Sequence, residues 1–260
     1  MKKLPPRNAV PTAVDPTPLK LTRDMERLPM NRETTNRIRF VLEDILPPFL
    51  RDSRLFKGVA SLAWGEHIAH LARFRERAPF LTASEYEQLY RKHPRVHKGT
   101  DNSEACVRKI AAEVRGSSVC DVGCGTGVLL KHIRGANPDL QRLAGVDFAI
   151  DDAAQIEGVE YVAAMIEELP FDDGEFDTVV CTHVIEHILD YRKAIAELRR
   201  ITRQRLIIVV PREREYRYTF NPHFNFFPYT HSFLRAMHPV PARHECIDIG
   251  RDIFYCEDRI

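Results

Sequence analysis

The segment Val119-Cys120-Asp121-Val122-Gly123-Cys124-Gly125-Thr126-Gly127 decides the fold of this 260-residue chain. Residues 119–122 predict a short buried strand, and the glycines predict a turn into a helix near Val128. Glycine suits this turn because it adopts left-handed backbone angles and lets a ligand approach the backbone closely. The carboxylate of Asp121, just before the turn, disfavours a phosphate ligand and favours a cationic one.

The glycine spacing is G-x-G-x-G rather than the G-x-G-x-x-G of dinucleotide-binding turns. It resembles motif I of the class I methyltransferases that use S-adenosylmethionine (SAM), a cofactor with an ammonium and a sulfonium but no phosphate. The resemblance implies that the loop contacts SAM. The candidate cofactor residues of the loop are Asp121, Gly123, Cys124, Gly125 and Gly127.

A second acidic residue, Asp147, lies in the predicted strand 143–148, twenty residues after Gly127. In doubly wound α/β folds, an acid at this position accepts hydrogen bonds from the ribose hydroxyls of a nucleotide. We therefore include Asp147 and its neighbour Phe148 among the cofactor residues. NAD-binding proteins use the same device, and a turn cap is the structural alternative, so Asp147 alone does not select SAM.

Residues 162–181 resemble the adenine-binding turn and the following strand of the ubiquinone-biosynthesis type of methyltransferase. That family usually has an aspartate where this chain has Met165, and often a small residue where it has Ile166. The resemblance implies that these two side chains sandwich the adenine ring, with Glu167 as the candidate to replace the missing carboxylate. Thr182, after the fourth predicted strand, completes the cofactor set.

Strands and helices alternate through the second half of the chain. The predicted strands are 119–122, 143–148, 159–163, 176–181 and 206–210, followed by a hairpin of 246–249 with 253–256. Continuous β-branched strands that alternate with helices predict a parallel sheet buried on both faces. We expect an α/β fold with a Rossmann-like, doubly wound, seven-stranded sheet. Its antiparallel last strand is the ending that the resemblance to class I methyltransferases implies.

The chain divides into three predicted parts. They are a proline-rich arm (1–30), an α-helical lid that covers the substrate (31–98) and the SAM-binding methyltransferase domain (99–260). The predicted lid helices are 34–46, 59–77 and one from Thr82 or Ser84 to His93. Tyr86 and Tyr90 of the lid are candidates to face the substrate, with surface or packing roles as the alternative.

Composition narrows the functional classes. The formal net charge of +1 exerts no general attraction on nucleic acid, so a nucleic-acid partner is disfavoured and kept as an alternative. No apolar run approaches the ~20 residues that span a bilayer, and the first residues lack a signal-peptide core. The six cysteines form no C-x-x-C pair, so we expect reduced thiols in a cytoplasmic protein. The sequence does not indicate an oligomeric state.

Three polar residues follow the fourth strand: His183, Glu186 and His187. If the chain enters a helix after Cys181, they share one face at the edge of the sheet where this fold binds substrate. Three roles stay open: support of the fold, a histidine general base, or a divalent metal site completed by His223. The third resembles the E-x-x-E-H motif of small-RNA 2′-O-methyltransferases, with a histidine in place of the first glutamate.

Residues 212–244 form a predicted insert after the fifth strand that walls the substrate pocket. Aromatic rings are interleaved there with histidines and arginines, and such rings suit sugar faces, aromatic acceptors and stacked bases. His223, Phe227 and Tyr229 are the candidate substrate residues. The alternative is a small satellite core under a long loop.

Together these features predict a SAM-dependent methyltransferase that O-methylates a hydroxyl of a small molecule or saccharide, using a histidine base or a divalent metal. The catalytic candidates are His183, Glu186 and His187, and the metal candidates are the same residues with His223. RNA 2′-O-methylation with a metal site is one alternative. A SAM-binding regulatory protein without turnover is the other.

Overall fold

A computed structural model describes residues 40–56, 58, 80–82, 85, 99–150, 156–215, 217 and 222–259. The predicted arm, the predicted helix 59–77 and the candidate residues Tyr86 and Tyr90 lie outside the described residues. The division of the chain into arm, lid and methyltransferase domain stays a prediction. None of the helices within the described ranges is long and apolar enough to cross a membrane.

The described part of the predicted lid contains two short helices. A π-helix, Val41–Ile45, is followed by α1, Pro48–Arg51. The first helix ends at Ile45, one residue before the predicted end at 46, and Pro48 starts α1 because the first helical turn does not need its missing N–H. Further along, Thr82 and Glu85 form a capping box, with Glu85 Oε2 accepting from Thr82 N at 2.8 Å and Thr82 Oγ1 accepting from Glu85 N at 3.3 Å.

The core of the fold is a seven-stranded sheet in the order β3-β2-β1-β4-β5-β7-β6. The strands are β1 Ser118–Val122, β2 Arg142–Asp147, β3 Glu160–Ala163, β4 Phe176–Thr182, β5 Thr202–Pro211, β6 His244–Ile249 and β7 Asp252–Asp258. The helices of this part are α2 Glu104–Glu113, α3 Val128–Ala136, α4 Tyr191–Ile201 and α5 Thr230–Ala236. β1 to β5 pair in parallel, and β7 pairs antiparallel to β5. The predicted seven-stranded, Rossmann-like sheet with an antiparallel last strand is confirmed.

The sheet carries a hydrophobic core on each face. The central strands β4 and β5 are buried along most of their length, as their continuous apolar sequences predict. Leu198 of α4 and Phe233 of α5 are fully buried in one core. Ile110 of α2 and Ile133 of α3 are fully buried in the other. Because β1 to β5 run in the same direction, their carboxyl ends meet at one edge, where this architecture binds ligands.

A two-residue turn between β6 and β7 brings a carboxylate to the same edge. Gly250 and Arg251 have φ values of 58° and 74°, the pair of left-handed residues that a type I′ hairpin requires. Asp252 follows the turn, pairs with Pro211 at the end of β5 and is fully buried. The final hairpin therefore contributes a buried acid to the ligand-binding edge.

Candidate active site

The glycine loop between β1 and α3 has the backbone that its sequence predicts. Gly123, Gly125 and Gly127 have φ values of 83°, 54° and 75°, all in the left-handed region. A Cβ atom at position 123 would lie 2.1 Å from Val184 Cγ2, and one at position 127 would lie 2.3 Å from the Tyr161 hydroxyl. Glycine is therefore required at both ends of the loop.

Asp121 lies in β1, immediately before this loop, and is 2% exposed. Its Oδ1 atom is buried and has no hydrogen-bond partner among the described residues. Burial, with a further contribution from the charge of Asp147, raises the pKa of the Asp121 carboxyl to about 7. The site fits the SAM ammonium, because a cation there supplies both the missing hydrogen bond and the missing opposite charge.

Asp147 ends β2 and contacts the glycine loop. Its Oδ2 atom accepts a hydrogen bond from Gly125 N at 2.9 Å, and its Oδ1 atom accepts one from Ala149 N at 3.2 Å. Asp147 therefore caps the loop and the turn that follows it. Each carboxylate oxygen has a second lone pair, so the same side chain retains acceptor capacity for ribose hydroxyls.

The predicted adenine contacts differ in their exposure. Ile166 is 5% exposed and belongs to the core, whereas Met165 is 41% exposed. Met165 is thus the member of the pair that an adenine ring can contact over a substantial area. Glu167 Oε2 is buried and lacks a hydrogen-bond partner within the described ranges, which leaves it free to accept from an amino group.

The remaining candidate cofactor residues lie around the same edge. Cys124 is buried in the glycine loop, and Phe148 is partly exposed just after β2. Thr182 ends β4, and its Oγ1 atom accepts a hydrogen bond from Asn102 Nδ2 at 2.9 Å. Thr182 therefore ties the start of α2 to β4, a structural contact that its position in the sequence did not indicate.

The chain after β4 does not form the single helix that the shared face of the three polar residues requires. His183 has a φ of 56°, which is uncommon for a residue other than glycine, and a 3₁₀ turn, Ile185–His187, follows it. His183 Nδ1 lies 3.5 Å from Glu186 Oε1, and His183 Nε2 lies 3.9 Å from Asp252 Oδ1. The predicted common face is wrong for His183, because its left-handed backbone interrupts the helical spacing.

The pKa values of His183 and His187 are shifted in opposite directions. Burial alone would lower the pKa of His183, but the charges of Asp252 and Glu186 outweigh burial and raise it. Burial, reinforced by the neighbouring His223, lowers the pKa of His187 to about 4. His183 is therefore favoured as a cation and a hydrogen-bond donor, whereas His187 is neutral and retains a lone pair.

Glu186, His187 and His223 form a compact cluster. One potential ligand atom from each residue lies within 4.8 Å of the other two. His187 Nδ1 is 3.0 Å from the Pro222 carbonyl, and His223 Nδ1 is 2.5 Å from Glu213 Oε2. A carbonyl and a carboxylate only accept hydrogen bonds, so each Nδ1 carries the ring proton and each Nε2 carries the ring's lone pair. Glu186 Oε2 is buried and has no hydrogen-bond partner among the described residues.

One asparagine fixes the insert on the 3₁₀ turn. Asn225 Nδ2 donates to the carbonyl of Ile185 at 2.9 Å and to that of Ile188 at 2.7 Å. Two backbone N–H groups of the insert also donate to the Glu186 carbonyl, at 2.7 and 3.1 Å. These bonds place the adjacent His223 at the cluster.

Sequence reasoning missed three residues of this site: Glu213, Asn225 and Asp252. Glu213 and Asp252 are 2% and 0% exposed, and charged side chains are almost never buried to this degree without partners. The available signal was their placement. Glu213 lies just after β5 and Asp252 opens the last strand, so both reach the ligand-binding edge.

The candidate wall residues of the insert occupy different environments. Phe227 is 5% exposed and packs edge to face on Phe233 with ring centroids 5.0 Å apart. Tyr229 is 47% exposed, accepts a hydrogen bond from Arg214 Nη2 at 3.2 Å and stacks on His231. Phe227 therefore packs in the main hydrophobic core, while Tyr229 reaches the surface.

A comparison with protein families defines the class. Residues 120–210, from β1 to the end of β5, match the family model of the methyltransferase domain. The match coincides with the glycine loop, Asp147 and the 3₁₀ turn. Residues 120–210 therefore form a methyltransferase domain, in agreement with the SAM-dependent class that the sequence motifs imply.

Two curated relatives and one solved structure extend this comparison. The chain is 30% identical over 114 residues to the ubiquinone/menaquinone biosynthesis C-methyltransferase UbiE of Citrifermentans bemidjiense, covering 40% of this chain and 48% of that protein. It is 33% identical over 93 residues to the ubiquinone biosynthesis O-methyltransferase of Bordetella avium, covering 32% and 37%. A SAM dependent methyltransferase structure from Aquifex aeolicus aligns with 68% of this chain and 98% of its own, with a TM-score of 0.48 and 15% identity. The chain thus spans less than half the length of these curated relatives.

Proposed function

We propose that this chain is an active SAM-dependent methyltransferase that methylates a hydroxyl of a small molecule or saccharide, with a divalent cation held by Glu186, His187 and His223. One observation carries the cation assignment. Glu186 Oε2 is buried, lacks a hydrogen-bond partner among the described residues and belongs to a cluster whose ligand atoms lie within 4.8 Å of one another. Such an atom is costly to bury unless a cation or a donor meets it.

Bound SAM supplies a methyl group that its sulfonium has already activated. The residues of this chain bind and orient it. We assign the ammonium group to Asp121, the ribose hydroxyls to Asp147, and the adenine to Met165 and Glu167. The unpaired, buried Oδ1 of Asp121 supports this assignment, because an ionised carboxylate in that position is unfavourable without a cation.

The cluster suits a particular group of cations. Two imidazole nitrogens and one carboxylate oxygen fit Mn²⁺, Fe²⁺, Co²⁺ or Zn²⁺ better than Mg²⁺ or Ca²⁺, which prefer oxygen ligands. Glu186, His187 and His223 would hold the cation, which would supply Lewis-acid chemistry that lowers the pKa of an acceptor hydroxyl. β4, which leads into the cluster, pairs directly with β1, which leads into the glycine loop. The proposed acceptor and cofactor sites are thus neighbours.

His183 has a supporting role in this proposal and is not a ligand. Its Nδ1 atom lies 3.5 Å from Glu186 Oε1, which leaves Glu186 Oε2 as the ligand atom. The two carboxylates around His183 raise its pKa and favour its protonated form, which is a poor base. His187 uses its Nδ1–H to contact the Pro222 carbonyl at 3.0 Å, and this contact would orient the ring as a ligand.

The test is methyl transfer from labelled SAM to a panel of saccharides, phenols, amines and short RNAs, each with and without EDTA. We expect transfer to a hydroxyl compound that stops with EDTA and returns with added Mn²⁺ or Zn²⁺. Transfer that persists in EDTA contradicts the cation assignment, and transfer to amines alone contradicts the hydroxyl acceptor. Turnover on RNA alone favours the 2′-O-methylation alternative. SAM binding without turnover on any compound favours the regulatory one.

A further inference from the structure

Glu213 has no role in the reaction proposed above, yet it is more deeply buried than most charged residues. It is 2% exposed and follows β5 by two residues. Its Oε2 atom lies 2.5 Å from Nδ1 of His223. The sequence does not reveal this contact, because the two residues are ten positions apart and neither lies in a helix or strand.

We infer that Glu213 is a positioning residue that orients His223 toward the cation, an inference that rests on the proposed cation site. A carboxylate accepts the Nδ1–H of the imidazole, which fixes the tautomer and leaves the Nε2 lone pair for the cation. Such outer partners also increase the basicity of the ligand. Glu213 would therefore act through His223 without contacting the cation.

The backbone supports this assignment from both sides. Glu213 N donates to the Phe227 carbonyl at 3.3 Å, and an isolated bridge joins Arg212 to Phe227. These contacts attach Glu213 to the buried Phe227 of the insert. In the part of the insert that carries His223, Asn225 donates to two carbonyls of the chain after β4 and fixes the segment there. The carboxylate and the imidazole are thus each held by elements of the core.

Charge balance gives a second, independent argument. Glu186 and Glu213 together contribute two negative charges to a site whose other members, His187 and His223, coordinate as neutral rings. Two carboxylates neutralise a divalent cation. Without Glu213, the buried site would keep one net positive charge when loaded, which is unfavourable in a region of low dielectric.

The test compares Glu213→Gln with Glu215→Gln, an exposed control two residues away. Each full-length protein is stripped with a chelator and titrated calorimetrically with Zn²⁺ and Mn²⁺, and S-adenosylhomocysteine binding is measured in parallel. We expect Glu213→Gln to weaken cation binding by about 10- to 100-fold, with cofactor binding unchanged. The control should match the wild type in both measurements.

The outcomes separate this inference from the proposed function. Wild-type cation affinity in Glu213→Gln overturns the role of Glu213 and leaves the cation site intact. A wild-type protein that binds S-adenosylhomocysteine but no cation overturns both the site and this inference. If Glu213→Gln loses cofactor binding and does not fold, Glu213→Asp decides the question. Cation affinity at least several-fold below wild type then supports the inference, and wild-type affinity overturns it.

Discussion

The imidazole rings of His187 and His223 meet edge to face with their centroids 4.7 Å apart. The first ring belongs to the 3₁₀ turn after β4, and the second belongs to the insert after β5. Each ring makes a hydrogen bond through Nδ1: His187 donates to the Pro222 carbonyl, and His223 donates to Glu213. One nitrogen of each ring also lies within 4.8 Å of a Glu186 carboxylate oxygen, which distinguishes this pair from surface histidines.

His187→Ala and His223→Ala are each expected to lose the cation and activity together, while S-adenosylhomocysteine binding is retained. Removing a ligand of the cation should cost at least about 100-fold in rate, since the cation contributes several kcal/mol to stabilising the transition state. Metal analysis of the purified proteins and a methyl-transfer assay measure the two losses. His231→Ala, in the exposed part of the same insert, is the matched control.

His187→Ala, together with His183→Ala, also distinguishes the cation site from the two other possible roles of these histidines, a metal-free base and support of the fold. A metal-free base would show no response to EDTA, and one substitution would cost roughly 10²–10⁴ in rate. A purely structural role would lower the melting temperature and leave the folded fraction nearly as active. Full activity of His187→Ala and His183→Ala in the presence of chelator would remove both catalytic roles.

Affinity for S-adenosylhomocysteine, which carries the same ammonium as SAM, is expected to fall as the pH is lowered. The pKa of Asp121 is raised to about 7 in the unliganded protein, so below that pH the carboxyl is protonated and must lose its proton to pair with the ligand. Coupling to one proton predicts roughly tenfold weaker binding at about pH 6 than at about pH 8. Calorimetric titration at both pH values measures the difference.

Asp121→Asn should remove this pH dependence and weaken binding at high pH by about 1.5–3 kcal/mol, the contribution of a hydrogen bond to a charged group. The pKa of Asp121 is raised in the folded protein, so the folded state favours the protonated carboxyl. The stability that this protonated form contributes is lost as the pH rises through about 7. Unliganded Asp121→Asn should therefore melt at a higher temperature than the wild type at about pH 8. Asp139→Asn, at an exposed position, should change neither property, and a persistent pH dependence in Asp121→Asn would assign it to another group.

Asp147→Ala is expected to weaken S-adenosylhomocysteine binding by about 1–3 kcal/mol, because each lost ribose contact leaves a buried polar group unpaired. The substitution also removes the acceptor of Gly125 N, so the loop itself should lose order. Titration with S-adenosylhomocysteine and with NAD measures both affinity and choice of cofactor. Wild-type affinity in the variant, or binding of NAD, would contradict the ribose assignment.

The strands and the glycine loop are predictable from sequence because their determinants are local. The turn at Gly123 to Gly127 needs left-handed backbone that glycine supplies, and the apolar runs of β4 and β5 can only be buried. The final hairpin is local as well, since Gly250 and Arg251 form its turn. Each of these features depends on neighbours within a few residues.

The arrangement of the cluster depends on contacts that the sequence does not encode locally. His183 breaks the helical spacing with a left-handed backbone, although histidine is not a residue that requires it. Glu213 meets His223 only because the insert folds back on the turn after β4. The sequence alone does not show whether Phe227 faces a pocket or the core. In the structure it packs on Phe233 in the core.

Residues 31–98 are expected to gain protection from hydrogen exchange when S-adenosylhomocysteine and an acceptor bind together. The described part of this segment already contacts the insert, since Arg217 N donates to Asp52 Oδ1 at 2.8 Å. Closure of a cover of this kind takes place in microseconds to milliseconds. Asp52→Ala should reduce the gain, and the buried strand β5 serves as the internal control. Unchanged protection of residues 31–98 with both ligands would contradict the lid.

The last prediction concerns Asn225, which fixes the insert without being a ligand. Its side chain donates to two carbonyls next to the cluster. Asn137, far from the cluster in sequence, likewise donates to two carbonyls, both at 3.0 Å. Asn225→Ala and Asn137→Ala should each lower the free energy of unfolding by about 1–3 kcal/mol, because each removes two hydrogen bonds to part-buried carbonyls.

Only Asn225→Ala should also weaken Zn²⁺ binding, since it releases the segment that positions His223. Urea denaturation measures the stability of each variant, and calorimetric titration of the folded protein measures its cation affinity. A similar loss of affinity in Asn137→Ala would show that the cation responds to global stability. Wild-type affinity in Asn225→Ala would show that the backbone bonds to Glu186 hold the segment without help from the side chain.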